Sequence, residues 1–342
     1  MCMGGGALVA TSCSNNSNSS NNGDGGGSGT PTSQPESGGS GGSAGGEQGG
    51  GGSQQQIPAG CVSVPVKNFG GTAITDSEVF IGSRNLSLPA IYACDHEVTQ
   101  GEYETYCAFG GLSPSSALGK GTNYPAYYVN WCDAIVYCNL KSKADGLTPC
   151  YKLGTSTDAA DVTKWTGVVK HGEGAAAKYC GPSNDNTSWN GITCDWTANG
   201  WRLPTEAEWE MLARGGNLTN SNQTTYSGSN TIGDVAWYTT NSGNKSHEVK
   251  TNKVENKDSA NSLGLYDMSG NVLEWCWDFF NTIADDTPWT GPASASSGSN
   301  RVFRGGKWND NYYSCSVAFR SFGDSPYDRF SIFGFRVVRN AQ

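Results

Sequence analysis

The chain has 342 residues, 22 of them Lys or Arg against 31 Asp or Glu, for a formal net charge of -9 at pH 7. An acidic balance argues against nucleic acid or an anionic membrane surface as partner, since both demand a basic footprint. No run of about 20 apolar residues is present to span a bilayer as a helix.

In chain order, Ala7–Ala10 followed by Thr11, Ser12 and Cys13 reads as the tail of a lipoprotein signal spanning residues 1–13, with Cys13 as the lipidation site. The apolar part is short and carries no basic segment before it. Ser14 to Gln56 has one Ala and no other apolar residue besides two prolines. It cannot bury enough surface to offset its ordering entropy and is expected to be a disordered tether, with an end-to-end distance of roughly 35 Å. Anchor and tether together imply a protein on the cell surface, lipid-anchored to a bacterial outer membrane and touching the membrane through that anchor alone. Residues 57–342 remain for a single large domain.

Within the domain, three helix starts stand out. Thr99 with Glu102 and Thr205 with Glu208 are capping boxes, and Asn130 with Asp133 opens a third helix that ends near Gly146. Strand-like runs are short, at Glu78–Gly82 and Phe335–Val338, which predicts a mixed α+β domain with much irregular backbone. Eleven tryptophans would build its core without long regular elements. Twelve cysteines occur, ten of them in the domain. None forms a CxxC pair, and Cys132 with Cys138 lacks zinc-knuckle spacing. Exported, such a domain would carry one or two disulfides, Cys150 with Cys194 being the first pairing to expect.

Several blocks then recur in a recognisable order: Glu97-Val98-Thr99, Tyr124-Pro125, Asn130-Trp131, the run Trp201 to Glu210 (WRLPTEAEWE), Asp267 to Trp275 (DMSGNVLEW), Phe303 to Trp308 (FRGGKW), and Gly334-Phe335-Arg336. Together they resemble the formylglycine-generating enzyme, or sulfatase-modifying factor, family over nearly all of 57–339. The resemblance implies a C-type-lectin-like fold, low in regular structure and shared by enzymes and binders alike, so function must be read from the site. It also implies a copper site of two cysteines after the Gly-Gly turn, but here Asp310 stands at the first position and Cys315 at the second. One thiolate cannot supply that soft pair, so no copper and no oxidase chemistry is expected. The family's structural calcium loop maps onto the side chains of Asp267 and Glu274 and the carbonyls of Gly270 and Val272, hard oxygen ligands suited to calcium. A second family calcium site is degraded, with Val235 and Ala236 at its place. Trp308-Asn309-Asp310 matches a tripeptide of calcium-dependent lectins, but its partner loop is missing. Only three histidines exist, and no zinc, nucleophile-elbow or phosphate-loop motif accompanies them.

The span Asn309–Phe333 is unlike a core strand. Of its 25 residues, 18 are Phe, Ser, Tyr, Asp, Asn or Gly, the mixture of rigid aromatics and small polar groups used by antibody loops. It contains no Lys, Glu, Gln, Met or Trp, the five types with no codon ending in a pyrimidine. The segment resembles the variable region of diversity-generating retroelement proteins, in which exposed positions are mutated on a fixed C-type-lectin scaffold. By that resemblance Val317, Ala318, Arg320, Pro326, Arg329 and Ile332 are fixed. The contacts would be Tyr312, Ser314, Ser316, Phe319, Ser321, Phe322, Gly323, Asp324, Ser325, Tyr327, Asp328, Phe330, Ser331 and Phe333. The expected function is display of a diversified face to a protein or glycan ligand outside the cell, without catalysis. The alternatives are a copper-dependent formylglycine-generating oxidase and a calcium-dependent sugar binder.

Overall fold

The computed structural model describes residues 56–69, 86–155, 157–217, 223–251, 259–280, 298–321 and 323–341. The signal with Cys13, the tether up to Gln55, the strand expected at Glu78–Gly82 and Phe322 lie outside the described residues.

The strands are short, as expected. The first four are β1 (Cys61–Val64), β2 (Lys67–Phe69), β3 (Leu86–Leu88) and β4 (Ile91–Cys94). Helices α1 (Gln100–Tyr106) and α2 (Trp131–Ala144) follow. Both start where a reciprocal cap satisfies orphan amides: Thr99 with Glu102, and Asn130 with Asp133. Gly146, at φ 69°, stands just beyond the end of α2. Next come β5 (Tyr151–Leu153), β6 (Val169–His171), β7 (Lys178–Cys180) and β8 (Ile192–Cys194). The third capping box, Thr205 with Glu208, opens α3 (Glu206–Ala213), and a single turn, α4 (Ile232–Val235), follows it. The C-terminal part supplies β9 (Leu273–Phe279), β10 (Arg301–Arg304), β11 (Phe333–Gly334) and β12 (Val338–Asn340).

Two three-stranded sheets organise these pieces, in the orders β1-β4-β12 and β10-β9-β11. In the second, β10 runs antiparallel and β11 parallel to β9. The strand expected at Phe335–Val338 instead lies between the two sheets, with β11 ending at Gly334 and only Val338 entering a strand, β12. Its middle hands the chain from one sheet to the other: the carbonyls of Phe335 and Val337 accept from Val98 and Cys94, while Arg336 turns inward to Glu274.

The core is in two parts. An aromatic cluster gathers Tyr103, Trp131, Tyr137, Trp275, Phe303, Phe333 and Phe335. A mostly aliphatic one gathers Val64, Leu88, Ile91, Met211, Leu212, Val302 and Val338 around Trp209. The WRLPTEAEWE block has an electrostatic reason. Every carboxylate of α3 is buried and meets an arginine: Glu208 takes Arg202 at 2.7 and 2.8 Å, Glu210 takes Arg304 at 2.5 Å, and Glu206 takes Arg320 at 2.7 and 2.9 Å.

The described cysteines are all free thiols. Cys150 and Cys194 are adjacent, each altering the other's pKa through a side-chain contact, but they are not bonded. The pair Cys61 and Cys94, directly opposite across β1 and β4, brings its sulfurs to 3.0 Å, a juxtaposition that spacing in the sequence did not suggest. His96 is likewise engaged, ion-paired with Asp95 and Glu102. Burial alone would lower its pKa, but the two carboxylates outweigh it and hold it up at about 9.

Candidate ligand-display face

From β10 the chain turns through Gly305 and Gly306, at φ 96° and 75°. The second glycine is required, because an added Cβ would lie 2.7 Å from the Ser314 carbonyl and 2.9 Å from Cys315. Trp308 is buried beyond the turn, and then the chain surfaces: Asn309, Asn311, Tyr312 and Tyr313 are exposed, with Tyr312 at 65% and Tyr313 at 48%. The Asn311 side chain accepts from the backbone N–H of Tyr313 at 3.0 Å, an Asx turn that sets both tyrosines. Phe319 packs edge-on against Tyr313, centroids 5.3 Å apart. The Trp308 indole N–H donates to the carbonyl of Ser331, which makes the 309–313 turn a neighbour of Phe330, also 48% exposed.

The remaining expected contacts divide. Ser314, Ser316, Phe319, Ser321, Asp324, Ser325, Asp328 and Ser331 are half-buried. Among them Ser316 and Ser325 also cap local turns, accepting from the N–H groups of Phe319 and Tyr327, and Asp324 exchanges backbone hydrogen bonds with Arg301. Burial, then the neighbouring Asp324 charge, raises the Asp328 carboxyl above its usual range. Three expected contacts are scaffold instead. Phe333 is 3% exposed and is enclosed by Trp275 and Phe303 at 5.1 and 4.7 Å. Tyr327 is buried, its hydroxyl donating to the Asn186 carbonyl at 3.0 Å. Gly323 sits at φ 69°, where a Cβ would lie 2.6 Å from the Arg301 carbonyl, so its side chain is absent for backbone reasons. Conversely, Tyr313 was missed; the only sequence signal for it is the Asn two positions earlier, which turns both rings outward.

Little regular structure holds this segment, so arginines do. Arg304 donates to the carbonyls of Val317, Ala318 and Phe319. Arg320 forks onto Glu206 at the start of α3, and Arg329 forks onto Asp133 at the start of α2 with both bonds at 2.7 Å. Arg336 forks onto Glu274 of β9 at 2.6 and 2.7 Å. Bidentate guanidinium–carboxylate pairs fix orientation as well as distance.

Asp310 is paired with Lys307 at 2.5 Å. Cys315 is fully buried beside Tyr226 and Val235, and burial pushes its thiol up to about 12, which keeps it protonated.

Asp267, Gly270, Val272 and Glu274 share one turn into β9, with Asp267, Gly270 and Asn271 all at positive φ. Glu274 already receives the Arg336 fork and the Trp209 indole N–H at 2.7 Å, and Asp267 receives the Lys250 N–H at 2.7 Å. The donor set is all oxygen, as calcium requires. An ion there would rest chiefly on Asp267 and the two carbonyls, because Glu274 retains little free capacity. Nearby, burial raises the Glu97 carboxyl well above its usual range, helped by the charges of Asp267 and Glu274. Among the described residues no three His, Cys, Asp or Glu side chains are grouped as a metal site.

Known proteins are similar to this chain in sequence and in fold. The Chaperone protein LppX of Paenibacillus barcinonensis is 33% identical over 285 residues, 79% of this chain and 87% of that one. The formylglycine-generating enzyme of Streptomyces coelicolor is 34% identical over 184 residues, 49% of this chain and 57% of the enzyme. Among solved structures, Treponema denticola variable protein 1 aligns with a TM-score of 0.63 at 30% identity, covering 82% of this chain and 94% of that one. CarF aligns with a TM-score of 0.58 at 25% identity, covering 84% and 100%. The sulfatase-modifying factor enzyme 1-like domain model matches residues 52–341, which takes in every motif block and both sheets, and the chain belongs to that family.

Proposed function

We propose that the protein is a surface-displayed binding protein, anchored through Cys13, whose 309–333 segment is diversified in sequence and contacts a protein or glycan ligand without catalysing a reaction. The observation that carries this reading is the contrast within that segment. Tyr312, Tyr313 and Phe330 are exposed on turns whose backbone is fixed by Arg304, Arg320 and Arg329. Rigid exposed aromatics on an anchored frame give contact area at low entropic cost. The likeness to a variable protein supports the reading. Against the oxidase alternative stand the Asp310–Lys307 pair and the protonated, buried Cys315.

Copper(I) titrations of the reduced protein and of Cys315→Ser are expected to agree, since the close thiol pairs Cys61–Cys94 and Cys150–Cys194 are present in both. A tight copper site lost in Cys315→Ser would restore the oxidase reading. Diversification predicts a near-copy of the 3' end of the gene differing at adenines, beside a reverse transcriptase gene. Its absence from the surrounding DNA removes that part of the proposal.

We also propose that Asp267, with the carbonyls of Gly270 and Val272 and the remaining capacity of Glu274, holds a structural calcium that pins the turn into β9. The melting temperature is then higher in millimolar calcium than in excess chelator. Equal values would mean that the Arg336–Glu274 pair pins the turn alone.

A further inference from the structure

Buried arginines in this fold are generally matched. Arg202, Arg214, Arg304 and Arg336 each meet a carboxylate. Arg301, at the start of β10, does not. Its guanidinium is stacked over the rings of Trp131 at 3.8 Å and Phe279 at 3.5 Å. Nη1 donates to the Trp277 carbonyl at 2.5 Å, while Nε is buried with no partner, as are the Nε atoms of Arg202, Arg304 and Arg339; what sets Arg301 apart from Arg202 and Arg304 is the missing carboxylate. The neighbouring Asp278 carboxylate is occupied by the backbone N–H of Glu206 at 2.8 Å. An unsatisfied buried donor on a charged group is costly to leave unmade, and burial without a counter-ion accordingly pushes Arg301 down to about 9.

Arg301 also lines a cavity of about 410 Å³, together with Trp131, Trp189, Phe279, Ser325 and Tyr327. That volume suits one small molecule. We propose that this cavity is a second binding site, for a small carboxylate with an apolar or aromatic body. The carboxylate would meet the Arg301 guanidinium where it lines the cavity, and the body would rest against Phe279, Pro326 and Tyr327. A carboxylate there would supply the counter-ion that Arg301 lacks. A phosphate dianion would bring a larger desolvation cost into a ring-lined space, past Asp185 at the rim. Arg301 lies outside the 309–333 segment, so the inference does not depend on the display reading.

The test uses the whole protein with benzoate as probe, benzamide as its neutral isostere and inorganic phosphate as competitor, followed by tryptophan fluorescence and calorimetry. Benzoate is expected to bind saturably, at least about tenfold tighter than benzamide, the effect of one hydrogen bond to a charged group. Phosphate should not displace it. Arg301→Gln should abolish the preference for benzoate. Should that variant fail to fold, Asn190→Trp keeps the question open to measurement: Asn190 is exposed at the rim of the cavity, and a tryptophan there should weaken benzoate while circular dichroism stays unchanged. Equal binding of benzoate and benzamide, no saturable binding of either, displacement by phosphate, or unchanged affinity in Asn190→Trp would each overturn the proposal.

Discussion

Replacing Phe333 by alanine is expected to cost about 3–5 kcal/mol of stability, whereas Phe330→Ala, three residues earlier, should change it by less than about 1 kcal/mol. Both are phenylalanines in the same aromatic and serine-rich run, and composition treats them alike. The structure does not. Phe333 pairs in register with Leu273 on β9 and closes the aromatic core against Trp275 and Phe303, so its removal leaves a cavity among large rings that cannot collapse. Phe330 touches that core only through an edge contact with Phe333 at 5.2 Å, and 48% of it is exposed. Urea unfolding of the two variants gives the comparison directly. Equal losses would mean that the exposed ring is structural, and the display face would shrink to the Tyr312–Tyr313 turn.

Arg329→Ala should be as costly, about 3–5 kcal/mol, because it strands a buried charge. Asp133 is fully buried and serves three structures at once: it accepts from the N–H of Asn130, capping α2, from the N–H of Gly181, and from both prongs of Arg329. Burial already raises its carboxyl above the usual range, against the opposing pull of Arg329. With the guanidinium gone, Asp133 must either take up a proton or admit water, and the Asp328–Phe330 turn loses its tie to α2. Adding Asp133→Asn to Arg329→Ala should recover part of the loss, since the stranded charge disappears. A double variant no more stable than Arg329→Ala would assign the cost to lost packing instead.

How far these features could be read from sequence depends on how local their causes are. The starts of α1, α2 and α3 were legible because a capping box is a four-residue device, and Thr99, Asn130 and Thr205 each carry one. The family blocks were legible as motifs, and they located the Gly-Gly turn. Facing was not legible where alternation is broken. Between Asn309 and Phe333 the chain runs through turns, so no period separates the buried Tyr327 from the exposed Tyr312. The partners that decide it, such as the Asn186 carbonyl, lie far away in sequence. Gly323 looked like a variable position only because a backbone constraint leaves no trace in composition. The strand expected at Phe335–Val338 failed for a similar reason, since Arg336 must reach Glu274 and the chain changes sheets to allow it.

The spacing of the anchors has a consequence for inheritance. Arg320, Arg329 and Arg336 grip three separate parts of the domain, the starts of α3 and α2 and the strand β9. Each grip fixes the path length of the chain to the next. Substitutions between them change which side chains meet a ligand and leave the path intact, but a single inserted or deleted residue would draw one guanidinium off its carboxylate. This surface can therefore be rewritten letter by letter but not resized.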